Sequence, residues 1–425
     1  MTTSDTLPRD GRASAEAIGS LIDEFAQMSA GGPGVTRLAY SPLERTAHER
    51  FREAMTELGL TVETDAVGNT IATLLPEGDT AASAAAIGTG SHLDSVPQGG
   101  RFDGIAGVAA AVEVARLAVQ DGQPRRRPWK FVVFAGEEGA RFGQACTGSR
   151  VIAGLTTAAD LEALTDGDGV SVAAALLELG LRPEAAATAV WDAADWHAFV
   201  ELHIEQGDVL ERDERAIGVV DSISGSTRMR VHVEGRSSHT GGTPMRGRRD
   251  ALVTASRCVL AGDAIANDPA NEGTRVSVGD IDVQPNSITT IPGVVTFTVD
   301  IRDIDGERQR GVARQLEQLY RECAAENGTT VRIEQIGDTS PVSLQAAVVD
   351  VVEQAAIALD TRPLRMPSGA SHDAQQISHI IPTGMIFVPS AGGLSHVPDE
   401  FTSAEQIARG TDVLLAAMRR LDAQP

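Results

Sequence analysis

Cysteine is scarce in this chain: Cys146, Cys258 and Cys323 are the only three in 425 residues, widely spaced and without a CxxC pair. That excludes a disulfide framework and a thiolate zinc site, and fits a reducing compartment. Long apolar runs are missing as well. No stretch of about 18 uncharged apolar residues occurs, and the opening MTTSDTLPRDGRASAEAIGSL has no basic segment leading into an apolar one. Neither a membrane span nor a secretory leader is expected, so the sequence predicts a cytoplasmic protein. Basic residues are outnumbered, 36 Lys and Arg against 59 Asp and Glu, for a formal net charge of −23. A surface of that sign repels phosphate backbones and anionic headgroups, which argues against nucleic acid and membrane partners. A G-x-S-x-G elbow, a P-loop and a G-x-G-x-x-G followed by an acidic partner are also absent, which disfavours a serine hydrolase and a nucleotide-binding protein.

What remains is the composition of a globular protein, 42% hydrophobic and 22% charged, with enough chain for two domains or one domain carrying a large insertion. Helical spacing of Ile18, Leu21, Ile22 and Phe25, then of Phe51, Met55 and Leu58, predicts two opening helices. A strand over Asn69 to Leu75, a low-complexity turn, and an apolar run over Ala84 to Gly88 follow. A helix over Gly104 to Gln120 and a strand over Lys130 to Phe134 complete a βαβ order, which implies a mainly parallel sheet with polar residues collected at one rim. Ala158 to Ala198 reads as surface helices, and VELHIEQG as a further strand. Between about 218 and 335 the order is strand, helix, strand (Thr274 to Val283), strand, helix, strand, the βαββαβ pattern of a ferredoxin-like insert. The expected organisation is an α/β domain over 1–217 and 336–425 interrupted by an inserted α+β domain over 218–335.

The chemistry-bearing residues cluster just past the predicted strands. His92 and Asp94 share one side of an extended segment, close enough for the carboxylate to orient the imidazole. Asp103, taken alone, reads as an N-cap of the following helix. Glu137 and Glu138 are adjacent after the apolar Phe131 to Phe134, where two carboxylates are costly to bury without a cation. Their side chains diverge, which suits one to a metal and the other to a proton. His203 lies near the carboxyl end of its strand, and His396 sits in the glycine-rich SAGGLSHVPDE. Together these residues match a dinuclear site of imidazole and carboxylate ligands, the donor set of Zn, Mn or Co. Cys146, in GQACTGSR, is either a nucleophile or, more ordinarily, an inert small residue near the core.

The segments GSHLDSVPQGGRFDG, AGEEGARFG, ELHIEQG, SSHTGGTPM followed by RRDAL, SGASHDAQ and FVPSAGGLSHVPDE occur in this order along essentially the whole chain. As a set they resemble the amidase/hydantoinase/carbamoylase branch of the M20 metallopeptidase-like family. The resemblance implies two divalent metals bridged by Asp103, one completed by His92 and His203, the other by Glu138 and His396. It implies Glu137 as the general base that activates water and passes the proton to the leaving nitrogen, with Asp94 supporting the ligands. It further implies that His239 reaches the reacting carbonyl across a homodimer formed through the inserted lid domain, that Gln206 contacts a ureido group, and that Arg302, assisted by Arg228, binds a substrate carboxylate. Asn286 matches the family pattern. Thr289 departs from it where an Asn is usual, and Ser371 where a Gly is usual, so the carboxylate pocket is where this chain is expected to differ.

The expected reaction is hydrolysis of a small N-carbamoyl-L-amino acid to amino acid, ammonia and carbon dioxide. Allantoate or β-ureidopropionate is the alternative substrate, a dipeptide a more distant one. A non-catalytic metal- or ligand-binding protein on the same fold is the alternative from another class.

Overall fold

A computed structural model describes residues 11–76 and 84–424. Residues 1–10, at the start of the N-terminal stretch, and 77–83, which hold most of the low-complexity turn, lie outside the described residues. The chain divides into two compact units, Met1–Asp221 with Leu344–Pro425, and Ser222–Ser343.

The first unit is a mixed α/β structure on one sheet. Its strands lie in the order Thr61–Thr64, Thr70–Leu74, Trp129–Phe134, Ala86–His92, Trp196–Ile204, Thr383–Val388, Gly218–Ile223. The four from Trp129–Phe134 to Thr383–Val388 pair in parallel, and the flanking pairs are antiparallel. Inner parallel strands are covered on both faces and so must be apolar throughout. Accordingly, all seven residues of Ala86–His92 and all six of Thr383–Val388 are buried. Helices Ile105–Gln120, Ala346–Ala358 and Ala404–Asp422 pack on this sheet. The last is started by a capping box in which Ser403 and Gln406 satisfy each other's backbone amides.

Two expectations are corrected in this unit. The apolar run after the turn continues beyond Gly88 as a strand to His92, which places that histidine at the strand's end. The segment Ala158 to Ala198 is helical only in part. It forms two short helices, Ala158–Ala163 and Val172–Glu178, and two 3₁₀ segments, Pro183–Ala189 and Ala193–Asp195, and Trp196 already begins the next strand. Thr157 and Ser171 cap the short helices, and Leu161, Val172 and Leu176 are buried in a satellite core.

In the second unit, Ile281–Gln284, Val294–Asp303, Gly225–Glu234 and Thr330–Thr339 form an antiparallel sheet in that order. Helices Ala251–Ala266 and Gly306–Glu326 cover one face, around Val231, Phe297, Val299, Leu316 and Tyr320. Val294–Asp303 alternates buried and half-buried residues along its whole length, as a strand packed on one side requires. The expected strand Thr274 to Val283 is two strands, Arg275–Ser277 and Ile281–Gln284, both on Val294–Asp303. Between them the Asp280 carbonyl accepts from the Thr298 amide. Among the described residues no helix is long and apolar enough to cross a membrane.

Candidate metal centre

Parallel strands present their carboxyl ends on one rim, and the loops leaving them deliver the polar residues of the first unit to a common point. His92 ends its strand, Glu137 and Glu138 follow Phe134 after a two-residue corner, and His203 is the penultimate residue of Trp196–Ile204. Asp103 precedes the helix Ile105–Gln120 but does not cap it. The N-cap is Gly104, at φ 67° and without a side-chain hydrogen bond, which leaves the Asp103 carboxylate free to turn toward the histidines. A Cβ on Gly104 would lie 2.5 to 2.6 Å from three atoms of the His92 ring, so only glycine allows the loop to pass this close.

The donor atoms fall into two sets that share Asp103. His92 Nε2 lies 3.6 Å and His203 Nε2 3.1 Å from Asp103 Oδ1. His396 Nε2 lies 3.2 Å from Asp103 Oδ2 and 3.4 Å from Glu138 Oε1. Two donors about 2.0–2.1 Å from one tetrahedral cation stand about 3.3 Å apart, so both sets have the spacing of atoms with a common ion between them. Glu201, His203 and His372 form a third group with ligand-like spacing. Its members are already engaged: Glu201 accepts from Ser91 Oγ (2.7 Å) and the Ala374 amide (2.8 Å), and His372 Nε2 bonds Ser368 Oγ (2.8 Å).

Neighbouring groups hold these donors in place. Asp94, 0% exposed, accepts from the Glu137 amide at Oδ1 and the Glu138 amide at Oδ2, both 2.9 Å, and its carbonyl lies 3.2 Å from His92 Nδ1. His203 Nδ1 bonds the Ile204 carbonyl at 2.9 Å. With each Nδ1 so occupied, Nε2 is the nitrogen turned to Asp103. Three further residues were not legible in the sequence in these roles. Gln206 donates from Nε2 to Asp103 Oδ2 (2.8 Å), and its buried Oε1 has no hydrogen-bond partner among the described residues. Ser395 Oγ donates to Glu400 Oε2 (2.7 Å) and lies 3.2 Å from Asp103 Oδ2. Glu400 Oε1 accepts from the amides of Phe102 (2.9 Å) and Asp103 (3.0 Å), tying the Asp103 loop to the His396 loop.

The electrostatics describe a site short of positive charge. Burial alone would raise the Asp103 carboxyl, but hydrogen bonds from His203, His396 and His92 hold it well below the usual range. Burial pushes Glu138 up to about 7, with Asp103 adding to the effect and His396 opposing it. Burial also lifts Glu137 well above an ordinary glutamate; His92 opposes this, and Glu138, Asp373 and Asp94 add to it. The Asp103 hydrogen bond raises His396 to about 9. Clustering this many carboxylates away from water is costly unless cations neutralise them. The donor chemistry and spacing of both sets therefore fit a pair of divalent ions.

The other predicted site residues belong to the second unit. His239 is exposed on a two-residue strand paired with Thr290–Ile291. Its Nδ1 accepts from the amides of Gly241 (3.1 Å) and Gly242 (3.0 Å), so Nε2 carries the proton and is the donor. Thr289, whose carbonyl accepts from the Thr240 amide at 3.1 Å, and Asn286, at φ 52°, are exposed nearby in sequence. Arg302 Nε donates to Asp300 Oδ2 at 3.0 Å, and Arg228 Nε lies 3.7 Å from Asp300 Oδ1. The two arginines thus share one carboxylate.

A profile of the peptidase family M20/M25/M40 matches residues 88–420. An N-carbamoyl-L-amino-acid amidohydrolase of Paenarthrobacter aurescens is 43% identical over 411 residues, covering 97% of this chain and 99% of its own. An allantoate amidohydrolase of Escherichia coli is 35% identical, covering 94% and 95%. The crystal structure of an amidase of the hydantoinase/carbamoylase family from Burkholderia multivorans superposes with a TM-score of 0.86 at 35% identity, covering 97% of this chain and 99% of that one.

Proposed function

Because the chain belongs to peptidase family M20/M25/M40, and to its carbamoylase and allantoate amidohydrolase relatives in particular, we propose that this metal-dependent amidohydrolase cleaves the ureido C–N bond of small N-carbamoyl-L-amino acids, releasing amino acid, ammonia and carbon dioxide. The observation that carries the chemistry is the Asp103 carboxylate with one oxygen toward His92 and His203 and the other toward His396. The observation that favours this substrate class over allantoate is the full-length 43% identity to a carbamoyl-amino-acid hydrolase.

When bound, two divalent ions of the Zn, Mn or Co class polarise the scissile carbonyl and make water acidic enough to attack near neutral pH. His92, Asp103 and His203 would hold one ion, and Asp103, Glu138 and His396 the other. Asp94 keeps Glu137 and Glu138 pointing apart through their backbone amides. Glu137 takes a proton from the attacking water and delivers it to the leaving nitrogen. Beside Asp103, Gln206 offers a buried carbonyl oxygen that has no donor among the described residues, an acceptor for a ureido N–H. Arg302 and Arg228, gathered on Asp300, bind the substrate carboxylate through their guanidinium groups. Asn286 and Thr289 complete that pocket, and His239 donates from Nε2 to the carbonyl oxygen. The inserted unit acts as lid and as homodimer contact in the cytoplasm; exposed Val253 and Leu260 on its helix Ala251–Ala266 support the second role.

The test is ammonia release from N-carbamoyl-L-amino acids, allantoate, β-ureidopropionate and dipeptides with metal restored. The highest kcat/KM is expected on an N-carbamoyl-L-amino acid. Preference for allantoate would transfer the assignment to that substrate, and no turnover on any member would leave a binding protein.

A further inference from the structure

The two oxygens of the Glu137 carboxylate have different surroundings. Oε2 lies 3.9 Å from His92 Nε2, on the side of the metal ligands. Oε1 accepts from the Cys146 thiol at 3.1 Å. The backbone amide of the same cysteine donates to the Glu137 carbonyl at 2.6 Å, so Cys146 grips both ends of the glutamate. Its place is built by the backbone. Cys146 sits at φ 59°, a left-handed conformation few residues other than glycine adopt, at the N-cap of Thr147–Ile152. The amides of Thr147 and Gly148 anchor that turn on the carbonyls of Gly136 and Ala135.

The nucleophile reading of Cys146 does not fit this setting. The residue is 1% exposed, and burial together with Glu137 pushes the thiol well above its usual range, so it remains an S–H. An S–H facing a carboxylate is a donor. The terminal torsion of a glutamate is broad, so an unheld carboxylate samples many rotations. One donor on Oε1 narrows that range and keeps Oε2 on the reacting side.

We infer that Cys146 is a positioning residue for Glu137, its thiol fixing the rotation of the carboxylate that shuttles the proton. This rests on the reading of Glu137 as the base. A thiol is a weak donor, so the expected contribution is about five- to tenfold in kcat rather than the loss that follows removal of the base itself.

The experiment compares wild type, Cys146→Ala, Cys146→Ser and Glu137→Gln on the best substrate of the panel, with bound metal and thermal midpoint measured on each. Cys146→Ala should lose about five- to tenfold in kcat with KM, metal content and midpoint unchanged, and Cys146→Ser, which keeps an O–H donor, should recover most of it. Wild-type kcat in Cys146→Ala, equal losses in Ala and Ser, or a loss that tracks metal or midpoint would overturn the inference. A readout without turnover is the infrared S–H stretch that disappears in Cys146→Ala. It should shift in Glu137→Gln, and an unmoved band counts against the contact. Glu137→Gln separates the two levels: if it stays active the base assignment fails, whereas if it is inactive and Cys146→Ala is fully active only the role of Cys146 fails.

Discussion

Asp94→Asn changes one atom at the point on which the whole centre is hung. The Asp94 carboxylate accepts two amide hydrogens, from Glu137 and Glu138, at 2.9 Å each and with no solvent exposure. Asparagine keeps one acceptor oxygen and sets an NH₂ against the other amide. One charge-assisted bond worth about 1.5–3 kcal/mol is lost, and a buried N–H is left unsatisfied at a cost of about 1–3 kcal/mol. A net loss of about 3 kcal/mol is expected, which for a unit of this size lowers the thermal midpoint by about 6 °C. Asp94 Oδ1 also lies 3.4 Å from His92 Nδ1, so the same change loosens His92 together with the Glu138 backbone, and groups that orient ligands typically govern about 10- to 100-fold of metal affinity. Thermal melts with and without chelator, alongside a metal titration, measure both effects. A variant that melts within about 1 °C of wild type and binds metal within about twofold would refute the role given to Asp94.

Gly104→Ala forces a Cβ into the left-handed region at about 1–2 kcal/mol and against the His92 ring; circular dichroism should show the fold retained and metal analysis about one ion fewer per chain. Glu137→Gln should keep its metal and lose nearly all turnover, and full activity would remove Glu137 from the proton-transfer role. In the second unit, burial alone would raise the Asp303 carboxyl, but Arg308, Thr274 and the Asp305 amide hold it below its usual value. A depressed folded-state value stabilises the protein above the ordinary carboxylate range and is lost as pH falls through it. Asp303→Asn should therefore cost about 2 kcal/mol in denaturant titrations at neutral pH, allowing for the partly solvated arginine. That difference should shrink below about pH 4, and a pH-independent difference would contradict the ion-pair account.

The centre was legible because parallel strands are continuous apolar runs, and the first polar residues after each one stand out. Phe131 to Phe134 leads straight to Glu137 and Glu138, and His203 stands out at the end of its strand. Asp103 could not be told from a helix cap in isolation, since only the left-handed Gly104 removes it from that role. Glu400 and Gln206 were illegible in their present roles because their partners lie far away in the chain and no local pattern marks them. The breaks between the helices after Ala158 were illegible for a different reason. The Ala- and Leu-rich composition suits helix throughout, and the interruption comes from caps at Thr157 and Ser171 and from the Asp166 turn, whose carboxylate accepts the Asp168 and Val170 amides. Cys146 was placed near the core, but its contact with Glu137 depends on a left-handed turn that composition does not announce.

The central claim is that one buried carboxylate joins two cations. Anomalous diffraction from crystals grown with Zn or Mn, recorded at the metal edge, tests it most directly. Two peaks are expected per chain, one among His92, Asp103 and His203 and one among Asp103, Glu138 and His396. A single peak, or peaks that leave Asp103 without a metal on each side, would contradict it.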